Sequence, residues 1–224
     1  MNTAKIVAYS QVAPNALDDL ELQTVQELIA YFARVSNPSN QNNVQTSEKL
    51  ITYLLNHKHF SPFEMVHATL ELNTTRDIAR QIIRHRSFAF QEFSQRYANP
   101  EALGTDLIFR EARMQDPKNR QNSIVCTDPE LAQQWLLKQE TVQNICNDVY
   151  NWAIERGIAK EQARVVLPEG LTKSRLLVAG SLRSFIHYIQ VRTEEGVQAE
   201  HRELARAIAV EIAKIFPLAM NFVQ

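Results

Sequence analysis

The sequence has few cysteines and few glycines, and both shortages narrow what the protein can be. Its two cysteines, Cys126 and Cys146, are too few for a disulfide framework and lack the CxxC spacing of a metal or redox site. We therefore expect reduced thiols in a cytoplasmic protein. The five glycines are scattered, and no Gly/Ser linker or internal repeat is present, which predicts a single domain over residues 1–224.

Long apolar runs are missing as well. No stretch approaches the roughly 18 apolar residues needed to cross a bilayer, and the first residues lack the apolar core of a signal peptide. The composition, 45% hydrophobic and 22% charged, is that of an ordinary globular protein. We therefore expect no membrane partner.

Neither positive nor negative charge is in excess, since 24 basic and 25 acidic residues give a net charge of −1. A nucleic-acid-binding protein should be distinctly basic, so we expect no such partner. A module that stacks bases on phenylalanines is the rival interpretation; it would be colourless and would bind more weakly as salt rises. The basic set contains 16 arginines and 8 lysines. Because guanidinium groups clamp carboxylates and phosphates through two N–H donors, this bias indicates local anion sites.

The spacing of apolar residues predicts an α+β fold, with a mixed or antiparallel sheet flanked by long helices. Strands are predicted at 4–10, 64–74, 106–111 and 175–180, the last of them buried. Helices are predicted from Asp18 through Phe32, from a Ser47 cap to about residue 57, at 76–86, and at 128–156 before Gly157. A short helix up to 168 and two more at 181–192 and about 198–215 complete the prediction.

The densest polar stretch is RDIARQIIRHRSFAFQEFSQRY at 76–97. Its helical half places Arg80 and Arg84 one turn apart, and its second half sets Gln, Glu and Ser among three phenylalanines. A polar group in an apolar setting costs a few kcal/mol unless it has a partner. We therefore interpret the second half as a loop that forms a pocket wall. A solvated arginine-rich helix with exposed ion pairs is the alternative.

This stretch resembles the signature of flavin-dependent thymidylate synthases, in which RHR is followed by seven residues and Ser. The matching residues here are Arg84, His85, Arg86 and Ser94, and the resemblance continues in Glu92, Arg96 and Tyr97. Three further segments are similar to the family in the same order: HFSPFE at 59–64, ARVVLPEG at 163–170 and SRLLVAGSLRSFIHYIQVR at 174–192.

The resemblance implies reductive methylation of deoxyuridine monophosphate (dUMP) to thymidine monophosphate. Methylenetetrahydrofolate would supply the carbon, NADPH the electrons, and FAD would carry them. It also implies a homotetramer with sites at subunit junctions. The other class of thymidylate synthase attacks uracil with a cysteine thiolate, but neither cysteine here has a nearby cationic loop that would lower its pKa. The flavin route needs no such nucleophile.

The resemblance also implies roles for individual residues. Those expected to bind the nucleotide are Gln81, Arg84, Glu92, Ser94, Arg96, Arg164 and Arg192, with Ser94 and Arg96 on the phosphate. Those expected to bind FAD are Ser61, Arg84, His85, Arg86, Glu92, Ser181, Arg183 and His187. Catalytic roles fall on Arg192, His59 and Ser94. A permanent cation at Arg192 beside the uracil imide would favour the ionised form of the ring.

Four positions depart from the residues common in the family, namely Ala89, Gln91, Ser181 and Gly196, and we expect single flavin contacts to be lost or moved there. His57, His59 and His67 could also be interpreted as a metal site. No HExxH motif or Asp/His cluster accompanies them, so we expect no metal.

Overall fold

The computed structural model of the chain describes residues 2–14 and 22–224. The strands of these ranges are β1 (Thr3–Tyr9), β2 (His67–Thr75), β3 (Phe88–Glu92), β4 (Arg113–Gln115), β5 (Ser123–Val125) and β6 (Lys173–Ser181). The main sheet has the order β1-β2-β6-β3, and every neighbouring pair in it is antiparallel. Strands β4 and β5 form a separate hairpin. The predicted α+β class with an antiparallel sheet is confirmed.

The α-helices of the same ranges are α1 (Val25–Ala33), α2 (Ser47–Asn56), α3 (Arg76–Ile82), α4 (Pro129–Glu155), α5 (Lys160–Ala163), α6 (Leu182–Arg192) and α7 (Ala199–Ala213). Buried residues of α1, α2, α6 and α7 share one hydrophobic core with the main sheet. In the described part of the chain, no helix is both long and apolar enough to cross a membrane.

The two central strands, β2 and β6, bury one face and leave the other partly open. Leu70 and Leu72 of β2 pair with Val178 and Leu176 of β6, and these four side chains are almost fully buried. Alternate side chains point to the opposite face, where Leu177 keeps 39% of its area exposed. The predicted alternation in β2 is therefore confirmed, whereas the prediction of a buried strand at 175–180 holds for one face only.

The first two helices begin at residues other than those predicted. The predicted start at Asp18 lies outside the described residues, and the described helix begins at Val25. A capping box explains this start, because Thr24 Oγ1 accepts from Glu27 N at 3.2 Å and Glu27 Oε2 accepts from Thr24 N at 2.9 Å. Ser47 is the first residue of α2 and not its cap.

The later helices follow the prediction closely. Asp128 caps α4, because its Oδ1 accepts from Glu130 N at 2.9 Å and Leu131 N at 3.1 Å. Gly157, at φ 77°, follows the end of the helix, in the left-handed region that glycine adopts without strain. Helices α6 and α7 are close to the predicted 181–192 and 198–215.

The arginine-rich helix is shorter than predicted, and the segment after it is not a loop. Helix α3 ends at Ile82, so 84–86 lie in a turn and not on the predicted helix 76–86. Residues Phe88–Glu92 form β3, which pairs with β6 and places Phe88 opposite Gly180. A Cβ at Gly180 would lie 2.4 Å from Phe88 Cδ1, so only glycine lets the ring pack there. The predicted loop is a strand because β6 offers it an unpaired edge.

The predicted strand at 106–111 is also wrong. The segment pairs with two buried glutamines of α4 and with no strand among the described residues. Gln143 Oε1 accepts from Ile108 N at 3.0 Å and its Nε2 donates to Ile108 O. In the same way, Gln139 Oε1 accepts from Arg110 N at 2.7 Å and its Nε2 donates to Arg110 O at 2.9 Å. Side-chain amides thus replace the peptide groups of a neighbouring strand.

We expect Gln143→Leu to lower the free energy of unfolding by about 2–4 kcal/mol, because each buried peptide group left without a partner costs about 1–3 kcal/mol. Urea unfolding followed by circular dichroism would measure the change. Gln133→Leu is the matched control, since Gln133 is exposed on the same helix. Equal losses in the two variants would contradict this account of the segment.

Candidate functional site

A pocket of about 350 Å³ lies beside the first turns of α6. It is lined by Phe60, Glu64, Ser87, Arg183, Ser184, Ile186, His187 and Gln190. Arg183 and His187, two of the residues predicted to bind FAD, are exposed in it, and Ser61 is the chain neighbour of Phe60. The site therefore combines the HFSPFE segment with the start of α6.

Glu64 is the acidic residue of this pocket, and the assignment of roles from the sequence missed it. Its Oε1 accepts from Arg183 Nη1 at 2.6 Å, and its Oε2 accepts from the hydroxyl of Ser181. The Ser181 hydrogen bond, with Arg183, lowers the pKa of Glu64 below its ordinary value, so the group is a carboxylate. The same Ser181 oxygen caps α6 by accepting from Ser184 N at 3.2 Å. The sequence did contain a signal for Glu64, because it is the last residue of HFSPFE, a segment that resembles the family.

The turn 84–86 lies against the C-terminal part of α6. Arg84 and Arg86 are exposed, whereas His85 is half-buried. Arg192 Nε donates to His85 Nε2 at 2.8 Å. Burial, together with the charges of Arg192 and His187, lowers the pKa of His85 to about 4, so the ring is neutral near pH 7. Two predicted site residues, His85 and Arg192, are thus in direct contact.

Behind this contact lies a buried pair, Tyr188 and His201; the sequence predicted Tyr188 as a core residue, and sequence reasoning did not single out His201. The Tyr188 ring meets His85 edge to face, with ring centroids 4.9 Å apart. Its hydroxyl bonds His201 Nε2 at 2.9 Å, and His201 Nδ1 bonds Gln81 Oε1 at 3.0 Å. His201 is fully buried, and burial lowers its pKa to about 3. Gln81, a predicted nucleotide residue, is therefore connected to His85 and Arg192 through side chains.

The predicted phosphate-binding residues form a second group. Ser94 Oγ accepts from Arg96 N at 3.4 Å in the turn after β3. The Arg96 guanidinium lies 3.3 Å from Glu161 Oε2 and 5.8 Å from the centre of the exposed Tyr97 ring. Arg164 follows Glu161 by one helical turn at the end of α5. Ser94 and Arg96 are therefore in contact, Arg96 pairs with Glu161, and Arg164 lies close to Glu161 along the chain.

Glu92, predicted to contact both ligands, is held by protein partners at the end of β3. Its Oε1 accepts from Ser174 Oγ at 2.8 Å and from Arg76 Nη1 at 3.5 Å. Arg80 lies 3.8 Å from its other oxygen, and Glu169 pairs with both arginines. Glu92 is thus part of an ion network next to the second group.

Strand β3 separates the two groups within one protomer. At one end Phe88 N bonds His85 O, and at the other Phe93 N bonds Arg175 O. Residues 88–94 in extended form span about 20 Å, at about 3.3 Å per residue. Side-chain contacts thus connect Gln81, His85 and Arg192, whereas no hydrogen bond or ion pair among the described residues joins these three to Ser94 or Arg96.

Of the departures from the family, Ser181 lies at the pocket, whereas Ala89, Gln91 and Gly196 lie elsewhere. The exposed His59 ring lies 6.2 Å from the Tyr53 ring and 6.0 Å from the His57 ring. Within 2–14 and 22–224, no three His, Cys, Asp or Glu side chains form a group that could hold a metal ion. Ala89 and Gln91 lie on β3 opposite Ala179 and Leu177, and a Cβ at Gly196 would meet open space.

Comparison with known proteins defines the class of enzyme. A family model described as "Thymidylate synthase complementing protein" matches residues 20–218. The chain belongs to the flavin-dependent thymidylate synthase family, as its motifs predicted.

The relatives are similar over most of their length. A probable flavin-dependent thymidylate synthase of Paramecium bursaria Chlorella virus 1 is 47% identical over 196 residues, which are 88% of this chain and 89% of the relative. The flavin-dependent thymidylate synthase of Synechocystis sp. is 45% identical over 208 residues, 93% and 94% of the two chains. The fold resembles that of a UMP/dUMP methylase, PolB from Streptomyces cacaoi, crystallised with 5-Br dUMP. That similarity has a TM-score of 0.78 and 25% identity, over 99% of this chain and 94% of PolB.

We expect the buried His201 to make the protein sensitive to acid. Its pKa is about 3 when folded against an ordinary value of 6.5, so the unfolded chain binds more protons between these pH values. This stabilising effect is fully present above pH 6.5 and is lost as the pH falls toward 3. Between about pH 6 and 4, the free energy of unfolding should fall by up to about 1.4 kcal/mol per pH unit more steeply in the parent than in His201→Asn. Urea titrations at several pH values would measure this, and parallel curves would contradict it.

Proposed function

We propose that the protein methylates dUMP to thymidine monophosphate, with methylenetetrahydrofolate as carbon donor, NADPH as reductant and FAD as electron carrier. The observation that carries this proposal is the contact of Arg192 with a neutral His85, beside Gln81, in a chain of this family. The likeness to PolB, crystallised with a dUMP analogue, supports the choice of substrate.

The residues present suit a flavin dinucleotide. Arg183 and His187 are exposed in the pocket beside α6, and Arg84 and Arg86 are exposed in the turn that also supplies Ser87 to this pocket. Guanidinium groups bind pyrophosphate through charge-assisted hydrogen bonds. We assign FAD to this surface, with Ser61 and His85 at its margins; Ser181 would act through Glu64, to which its hydroxyl is bonded. When bound, the flavin supplies the redox chemistry that the side chains lack.

Arg192 would bind the uracil ring and withdraw charge from it. Its Nε donates to His85, which leaves the terminal guanidinium nitrogens to donate to the ring imide. Because His85 is neutral, it orients Arg192 without adding a competing charge. A cation beside the imide favours the ionised form of the ring. In that form, the ring carbon next to the imide carbonyl is a better nucleophile. Gln81 would line the same ring.

Ser94 and Arg96 would bind the nucleotide phosphate, with Arg164 and Arg84 nearby in the assembled site. The Arg96–Glu161 pair is half-exposed on both sides. Such surface pairs contribute about 0–1 kcal/mol, so a dianionic phosphate can replace the carboxylate. Glu92 would stabilise the end of β3 that precedes Ser94, through its contacts with Arg76 and Arg80. We assign His59 a supporting role next to the flavin pocket.

No cysteine nucleophile is required in this proposal, and the positions of the thiols agree with that. Cys126 and Cys146 are half-buried and unpaired, and both belong to the region of α4. Neither of them lines the pocket beside α6 or contacts Arg192. The reaction would proceed without covalent attachment of uracil to the protein.

Complete sites would form at the junctions of a homotetramer. Within one protomer, about 20 Å of extended chain separates the group at His85 from the group at Ser94. Because no contact among the described residues joins the two groups within one protomer, the uracil group of one copy would meet the phosphate group of another. Each group alone would then contact only one part of the nucleotide.

Helix α4 offers a surface on which a second copy could pack. Exposed apolar side chains recur along it at alternating spacings of four and three residues, interrupted by Lys138; they are Leu131, Trp135, Val142, Ile145, Val149 and Trp152. A heptad stripe of this kind is typical of helices that pack against another helix. An adjacent side of α4 already packs on its own protomer through Gln139, Gln143 and Tyr150.

Tritium release from labelled dUMP tests the proposed reaction. We expect release that depends on methylenetetrahydrofolate, NADPH and FAD, and a loss of at least about 100-fold in Arg192→Ala, since about 2.7 kcal/mol of transition-state stabilisation corresponds to that factor. Flavin should stay bound, as its visible absorbance would show. Arg206→Ala, on the exposed side of α7, is the matched control. Release without folate, or full activity in Arg192→Ala, would refute the proposal.

Disrupting the α4 stripe should dissociate the assembly. Ile145→Glu places a charge in the middle of the stripe, where Ile145 is 57% exposed in the single chain. We expect a smaller species by light scattering and loss of dUMP-dependent turnover. Leu137→Glu is the control, because Leu137 is 50% exposed on the same helix but lies outside the stripe. An unchanged mass in Ile145→Glu would contradict the assignment of this surface.

A further inference from the structure

A directed chain of hydrogen bonds begins at Glu200, near the start of α7. Glu200 forms ion pairs with Arg110, at 3.1 Å, and with Arg113. Although burial acts to raise the pKa of Glu200, its hydrogen bonds and Arg110 lower it below the ordinary value. The group is therefore a carboxylate, which can only accept hydrogen bonds.

This fixed acceptor determines the direction of every bond that follows. Gln198 turns its Nε2 toward Glu200 Oε2, at 3.0 Å, and so presents its Oε1 to Gln81. Gln81 must then turn its own Nε2 to Gln198, at 2.7 Å. Its Oε1 is left facing His201 Nδ1, at 3.0 Å, so Nδ1 carries the proton. His201 Nε2 can accordingly accept from the Tyr188 hydroxyl, at 2.9 Å.

We propose that His201 and Gln198 are positioning residues that lock the side-chain amide of Gln81 in one orientation toward the nucleotide base, and that this lock sets the preference for uracil over cytosine. The inference rests on the proposed function, because it takes Gln81 to line the base. Gln81 is connected through side chains to His85 and Arg192, the group expected to meet the uracil ring.

The chemistry of the two bases explains why a locked amide would discriminate. As it binds, before its imide ionises, uracil presents a carbonyl acceptor and an imide donor. Cytosine presents an amino donor and a ring-nitrogen acceptor at the same edge. A glutamine that can rotate by half a turn exchanges its donor and acceptor and can satisfy either base. Gln81 cannot exchange them without breaking its bonds to both His201 and Gln198. Burial of His201 makes such a loss costly.

Two substitutions at His201 separate this role from a structural one. In His201→Asn, the side-chain amide nitrogen can replace Nδ1 as the donor to Gln81. In His201→Gln, the amide reaches the position of Nε2, so it keeps a partner for Tyr188 but loses the donor to Gln81. Gln198→Met removes the other anchor at an exposed side chain, where folding is not at risk.

The experiment measures dissociation constants of the FAD-loaded enzyme for dUMP and for dCMP by calorimetry, with urea unfolding of each variant. We expect His201→Gln and Gln198→Met to bind dUMP about five- to tenfold more weakly and to lose a similar factor of dUMP-over-dCMP discrimination, as the loss of one hydrogen bond predicts. For His201→Asn, the dissociation constant for dUMP and the dUMP-over-dCMP discrimination should both stay within about threefold of the parent values.

Equal behaviour of the Asn and Gln variants, or unchanged discrimination in Gln198→Met, would overturn the inference while leaving the proposed reaction intact. A parent enzyme that binds no dUMP would overturn the proposed function and this inference with it. Should His201→Gln fail to fold, Gln198→Met alone carries the test, since it changes only an exposed side chain.

Discussion

The pairing of β3 with β6 is the interaction on which the site depends. Its register sets Phe88 opposite Gly180, one residue before Ser181 caps α6. The turn 84–86 therefore arrives beside the helix that begins where β6 ends. This arrangement brings His85 within 2.8 Å of Arg192, although 107 positions separate them along the chain.

Burial gives this site its electrostatic character. His85 and His201 both have lowered pKa values because desolvation disfavours their charged forms. Neutral rings accept hydrogen bonds from Arg192 and Tyr188, and they add no positive charge to the neighbourhood. Arg192 is therefore a cation with neutral histidines beside it, as its proposed role toward the uracil ring would require. Elsewhere on the protein, the exposed Arg96 and Arg183 each pair with one carboxylate, so phosphate groups can compete for them.

In the proposed function, the apolar stripe of α4 would serve assembly. If the group of His85 binds uracil and the group of Ser94 binds phosphate, a neighbouring copy would complete each site. A helix that shows apolar residues on its outer face and binds its own protomer through glutamines can supply that contact. Assembly and ligand binding would then depend on the same surfaces.

The sequence by itself determined the family and the elements with strong local signals. The residues Arg84, His85, Arg86 and Ser94 identified the family. Asp128 and Gly157 marked the ends of α4, and alternation along 64–74 gave β2. These features follow from residues near one another in the chain, which is why they can be read without coordinates.

Only the tertiary structure decided the features that depend on distant partners. The segment at 106–111 resembles a strand, but the glutamines that satisfy its backbone lie about 30 residues further along. Residues 88–92 resemble a loop until the edge of β6 is present. His201 acquires its role from Gln81, 120 positions away, because two hydrogen bonds and complete burial fix its proton.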